Sequence, residues 1–201
     1  MDSKLLYELL EAMNSRQSVT LYRCDKDGSS IPQYVCPLKI YCSTKTGRQY
    51  LLSYSYAARK LLFNRLDHIE SIEVKRAERR YEEFLQLAKE AAPHIWGAGM
   101  LRTDRLEEIS FTVEAAADEQ FIVQRLEREK RCGTVRQLDA EHYRFSAAVY
   151  DARELLPWIR TFIGRITAFR CSNEEIERIF YDDLEQTAAY YLQEVQADGE
   201  K

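Results

Sequence analysis

The sequence predicts a protein of mixed α and β structure: a small antiparallel β barrel with a leading helix, then an α+β domain of split-βαβ type with an added C-terminal helix. Three observations carry that expectation. The hydrophobic period changes from helical to strand-like after residue 16 and keeps the strand period to about residue 75. Beyond residue 106 the elements run strand, helix, two strands, helix, strand, helix, the order of a split βαβ (ferredoxin-like) unit with one helix appended. Charge divides at a similar place. Residues 16–65 hold nine Lys and Arg against two Asp and Glu, a local net of +7, whereas residues 76–201 hold 18 against 25, a net of −7.

The elements follow in order. Residues 3–14 read as a helix capped by Asp2 or Ser3, with Leu5, Leu6, Leu9, Leu10 and Met13 on one stripe. Strands are expected over 19–24, 31–43, 49–56, 60–66 and 68–75, because these runs are rich in branched and aromatic residues. Asp25 to Gly28 and Lys45 to Gly47 supply turns between them. Pro37 falls inside the second strand, which fits an edge position or a bulge. In the third strand Tyr50, Leu52, Tyr54 and Tyr56 share one face, and Leu51, Ser53 and Ser55 share the other. Five strands this short are unstable singly, so a curled or closed barrel is expected, its open side covered by the leading helix.

Residues 78–92 form a connecting helix with Tyr81, Phe84, Leu85, Ala88 and Ala92 on one face, ended by Pro93. In the second domain a strand is expected over 108–115 and a helix over 119–130, with Phe121, Leu126 and either Ile122 or Val123 inward. A hairpin over 134–150 follows. Asp151 caps a helical run to Ile166, in which Pro157 either kinks the helix or marks its first turn. A strand over 167–171 precedes a final helix over 173–192, capped by a Ser172–Glu175 box. The resulting domains are 1–76, a linker over 77–105, and 106–195, with the last residues from about 196 unstructured.

Several function classes are excluded or disfavoured. No run approaches the ~18 apolar residues of a membrane span, and the N-terminus has no signal-peptide core or cleavage site, so a cytoplasmic protein is expected. Cys24, Cys36, Cys42, Cys132 and Cys171 are widely spaced without a CxxC pair, and the three histidines give no metal-ligand spacing. These read as reduced, mostly buried thiols. There is no Gly-rich phosphate loop, HExxH or nucleophile elbow. Neither an enzyme nor a cofactor is expected.

Several strings, in order, resemble the WYL-domain family of bacterial transcriptional regulators, its WYL module followed by its C-terminal extension. They are Arg16 to Tyr22 after the leading helix, Pro37-Leu38, Gln49-Tyr50-Leu51, and Arg65-Leu66-Asp67-His68-Ile69. In the second domain they are Leu155 to Ile159, Ile166 to Arg170, and the closing Tyr190-Tyr191. Gln49 stands where the family has Trp, and His68 where it has a second Arg. The resemblance implies an Sm- or SH3-like barrel that senses a ligand, in some members nucleic acid, and an extension that dimerises. It also implies a winged helix-turn-helix ahead of the module, either missing here or supplied by a DNA-binding partner.

Candidate ligand residues follow from charge, chemistry and that resemblance. Arg65 matches the family's functional arginine, and its planar five-donor fork suits phosphate or carboxylate. Arg59 and His68 match neighbouring basic positions. Tyr50 and Tyr54 stand two steps apart on one strand face, where rings could stack a base; the same period also suits a barrel interior or a helix-facing surface. Arg23 is expected in an external positive patch. The function expected is the effector-sensing part of a transcriptional regulator that binds an anionic small molecule or single-stranded nucleic acid. The alternative is a regulatory subunit acting through a protein partner.

Overall fold

The computed structural model describes residues 3–24, 30–43, 47–99 and 105–199, in two compact units, Met1–Asp104 and Arg105–Lys201. The expected turns at Asp25–Gly28 and Lys45–Thr46 lie outside the described residues, as does Asp2.

Unit 1 begins with α1 (Ser3–Asn14), closed by Arg16 in the left-handed region at φ 55°. Five antiparallel strands follow: β1 (Gln17–Cys24), β2 (Ser30–Cys42), β3 (Gln49–Ser55), β4 (Lys60–Arg65) and β5 (Ile69–Ala77). They are ordered β4-β3-β2-β1-β5, so β4 and β5 are the two edges, joined by one 3-10 turn over Leu66–His68. β2 is central, and Pro37 sits beside a register shift between Pro37 and Lys39, the bulge its missing N–H requires.

Successive side chains of each strand point to opposite faces, and in β3 both faces are buried, Leu51 and Ser53 on one and Leu52 on the other. Val19 and Leu21, Val35, and Leu51 pack with Leu66 and Ile69 against Leu5, Leu9 and Ala12 of α1. Leu10, expected on the same helix stripe, is exposed: at about 100° per residue it falls past the edge set by positions 5, 9 and 12. The opposite face carries Tyr34, Tyr54 and Tyr56 and is covered by α2 (Tyr81–Ala91). Phe84 stacks on Tyr54 with centroids 3.9 Å apart, and Tyr34 stacks on Tyr56 at 4.4 Å. Ala91 rather than Ala92 completes the buried face of α2.

Unit 2 contains β6 (Glu107–Glu114), α3 (Gln120–Glu129), β7 (Thr134–Gln137), β8 (His142–Val149), α4 (Leu156–Ile159), β9 (Ile166–Cys171) and α5 (Glu174–Gly199). The sheet order is β7-β8-β6-β9 with every neighbour antiparallel. β6 and β7 therefore run the same way with β8 inserted between them, which is the split-βαβ arrangement. Phe111, Phe145 and Phe162 pack around Trp158, while Phe169 stacks on Phe180 of α5.

Four details differ from expectation. The run 152–166 is α4 between two 3-10 segments, with Pro157 in the first turn of α4, so there is no kinked long helix. Phe121 is 59% exposed, whereas Ile122 and Leu126 face inward as expected. Asn173 caps α5, its Oδ1 accepting from the Glu175 N–H at 3.1 Å, whereas Ser172 Oγ accepts from the β6 backbone at Glu108. α5 also runs on to Gly199, past residue 192, since no glycine or proline interrupts it earlier.

Candidate ligand-binding site

The six candidate residues fall in four places on unit 1. Tyr50 lies directly across from Arg65 in the β3–β4 register, and His68 is exposed in the turn just beyond, so these three share one rim. Arg59 sits in the hairpin at the other end of β4, at φ 53°. Six residue steps separate it from Arg65, about 20 Å at a rise of about 3.4 Å each, too far for one small anion. Tyr54 is on the outer face, its ring covered by Phe84 and edge-on to Tyr56. Arg23 shares the inner face with Leu21, two residues away on β1. It is not part of an external patch: Tyr22 takes the outer side and donates to Glu73.

Arg65 is already engaged. Its Nε donates to Asp67 Oδ1 at 3.0 Å and its Nη2 to Oδ2 at 2.6 Å, a bidentate pair. That hydrogen-bonded guanidinium holds the Asp67 carboxyl below the usual carboxylate range, so the pair persists at neutral pH.

Arg23 is different. It is half-buried, and none of the ion pairs found among the described residues includes it. Its Nε is buried without a hydrogen-bond partner. Its Nη1 reaches Asn64 Oδ1 at 3.5 Å, across the interior from β1 to β4. Asn64 is itself buried and donates through Nδ2 to Ser53 Oγ at 3.0 Å. Gln33, directly opposite Leu21 on β2, shares this face, and its Oε1 is also buried without a partner. A buried donor or acceptor left unmet costs about 1–3 kcal/mol, so a water or another polar group is expected beside each of the two.

The arrangement can hold a small group carrying negative charge, with Arg23 providing charge and Asn64 held in orientation by Ser53. Asn64, Ser53 and Gln33 were not among the candidates. The signal for them was the same alternation that placed the tyrosines: Ser53 between Leu51 and Ser55 is polar on a face that the leucines mark as interior. Elsewhere under α2, burial pushes the Cys36 thiol up to about 12, so it stays protonated and unreactive. Among the described residues no three His, Cys, Asp or Glu side chains are grouped to hold a metal ion, and no helix is long and apolar enough to cross a membrane.

Comparison with known proteins adds to the fold alone. No family model matches the sequence, and no curated protein matches it. Among solved structures, a CRISPR Cas-related protein is similar at 10% identity and a TM-score of 0.53, over 92% of this chain and 51% of that one. Proteasome accessory factor B/C (PafBC) of Arthrobacter aurescens is similar at 14% identity and a TM-score of 0.41, over 94% of this chain and 27% of that one. This chain thus spans about half and about a quarter of the lengths of those two.

Proposed function

We propose that this chain is the effector-sensing part of a WYL-type transcriptional regulator, and that its basic β unit takes an anionic ligand, a nucleotide or single-stranded nucleic acid. The observation that carries the reading is Arg23: a half-buried guanidinium with an unmet Nε–H, facing Asn64 inside a segment of local net charge +7. A guanidinium held this way has a donor free to meet an incoming anion. The order of WYL-like strings in the sequence agrees with this, and so do the curled five-stranded sheet and the split-βαβ unit. On this reading, recognition of an operator belongs to a helix-turn-helix outside these residues or on a partner.

The test is the affinity of the chain for short single-stranded oligonucleotides and for mononucleotides, measured by titration calorimetry at several salt concentrations. Arg23→Gln is expected to weaken binding at least tenfold, since a charge-assisted hydrogen bond is worth about 1.5–3 kcal/mol. Oligonucleotide affinity should fall steeply with salt. Equal affinity in wild type and Arg23→Gln would remove the inner face from consideration.

A further inference from the structure

Phe111, Phe145 and Phe169 point to the side of the unit 2 sheet where α4, the 3-10 segment after it and α5 pack. The other side has a different character. Arg136 of β7 lies directly opposite Arg144 of β8, and their row continues through Thr112 to Ala168. The next row runs from Thr134 through Ser146 and Ser110 to Arg170. Neither row contains a carboxylate, and all three arginines are exposed. Facing residues on neighbouring strands have Cα atoms about 4.5–5.5 Å apart, and like charges so placed destabilise the pair. Among the described residues no ion pair includes Arg136 or Arg144. Arg170 donates to Glu177 at 3.1 Å, so the two facing arginines carry most of the unbalanced charge.

The floor between the arginines is made of small side chains. Ser110, Ser146 and Ala148 line an open depression of about 540 Å³ bordered by Arg170. No aromatic ring stands in either row, so a nucleic-acid base has nothing to stack on. The positive zone is also short. Glu108 and Glu114 stand on β6 two residues beyond the rows, beside Ala148 and His142, where they repel a phosphate chain that runs on. We propose that this face docks an acidic segment of a protein partner, with Arg136 and Arg144 gripping one carboxylate between them and Arg170 meeting a second. Arg144 and Arg170 are two strands and one row apart, about 12 Å for a strand spacing of about 4.8 Å and a two-residue rise of about 6.8 Å. A helix presents carboxylates seven or eight residues apart at about 10.5–12 Å, and the small floor lets its backbone come close. The proposal is independent of the anion reading of unit 1.

The experiment is NMR titration of the isotope-labelled full chain with three probes: a capped Ala-rich helical peptide of about 18 residues carrying Glu at i, i+4, i+7 and i+11, its Gln counterpart, and an oligothymidylate of equal charge. The Glu peptide is expected to shift amides of β6, β7, β8 and β9, and the Gln peptide to leave them in place. Arg136→Gln combined with Arg144→Gln should weaken that binding at least fivefold, the scale of two exposed ion pairs. Arg136→Glu should abolish it while raising the denaturation midpoint, because an opposite-charge pair replaces a like-charge one. Shifts confined to unit 1, no shifts at millimolar peptide, or unchanged affinity in the double variant each overturn the proposal. Oligothymidylate shifting the same amides at equal or higher affinity also overturns it, making the face a nucleic-acid surface instead.

Discussion

Arg65 donates through two nitrogens to Asp67, so an incoming anion at this rim competes with a carboxylate two residues away. Asp67 has a lowered folded-state pKa, so its favourable contribution is present above the unfolded value of about 3.9 and is lost only as pH falls through the folded one. Between pH 5 and 8 the pair therefore stays closed. Asp67→Asn is expected to raise affinity for a short anionic oligonucleotide about threefold, the scale of an exposed ion pair, and an unchanged titration would exclude Arg65 from the binding surface. Tyr54 raises the converse question, since stacking on Phe84 occupies the ring face that a base would need. Tyr54→Phe should leave both ligand affinity and melting temperature nearly unchanged, whereas Phe84→Ala should cost about 3–5 kcal/mol in chemical denaturation. Residue types were legible in the sequence, but their partners were not. Nothing in the string Arg65-Leu66-Asp67 reveals that the fork closes on its own neighbour, and Arg23 became a stronger candidate only when its inward face and its unpartnered Nε were visible.

Elements were easier to read than contacts because period and turn chemistry act locally. α1 has the bounds its leucine spacing gives, and all nine strands were expected within about two residues. The misreadings have specific causes. The run 152–166 has helical periodicity, but Pro157 removes an N–H and Gly164 weakens the second half, so only one short α turn survives between 3-10 segments. At Gly133 the backbone adopts φ 81°, and an added Cβ would meet the Ser146 carbonyl oxygen at 2.5 Å and Ala147 Cβ at 2.8 Å. Gly133→Ala is expected to destabilise unit 2 by about 2 kcal/mol or more, measured as a lower denaturation midpoint. The β7–β8 turn carries a second testable feature. Asp139 accepts from the backbone N–H groups of Glu141 and His142 and also meets the His142 ring, whose pKa is raised chiefly by that hydrogen bond. The interaction is fully present below the ordinary histidine value of about 6.5 and fades as pH rises through the higher folded value. An NMR titration should place the His142 midpoint above 6.5, and Asp139→Asn should lower it; an identical midpoint in both would refute the assignment.

At the scale of the molecule, each unit has a core of its own, leucine- and valine-rich in unit 1 and aromatic in unit 2. Charge also changes along the chain, since the basic residues concentrate in the strands of unit 1 and the acidic excess lies after residue 76. The contact between Arg23 and Asn64 across the interior was not foreshadowed, because it depends on how far the sheet curls. β1 and β4 are separated by two strands in the sheet, yet Arg23 reaches Asn64. That reach has a mechanical side. Among the described residues β4 and β5 are the unpaired edges of the sheet, joined by a three-residue turn, so a gap is left between them. A ligand gripped by Arg23 and Asn64 would fasten β4 to β1 from within, converting occupancy into stiffness along the sheet. The reporter is the rate at which β4 amides exchange hydrogen with solvent: it should slow on ligand addition in the wild type and stay constant in Arg23→Gln.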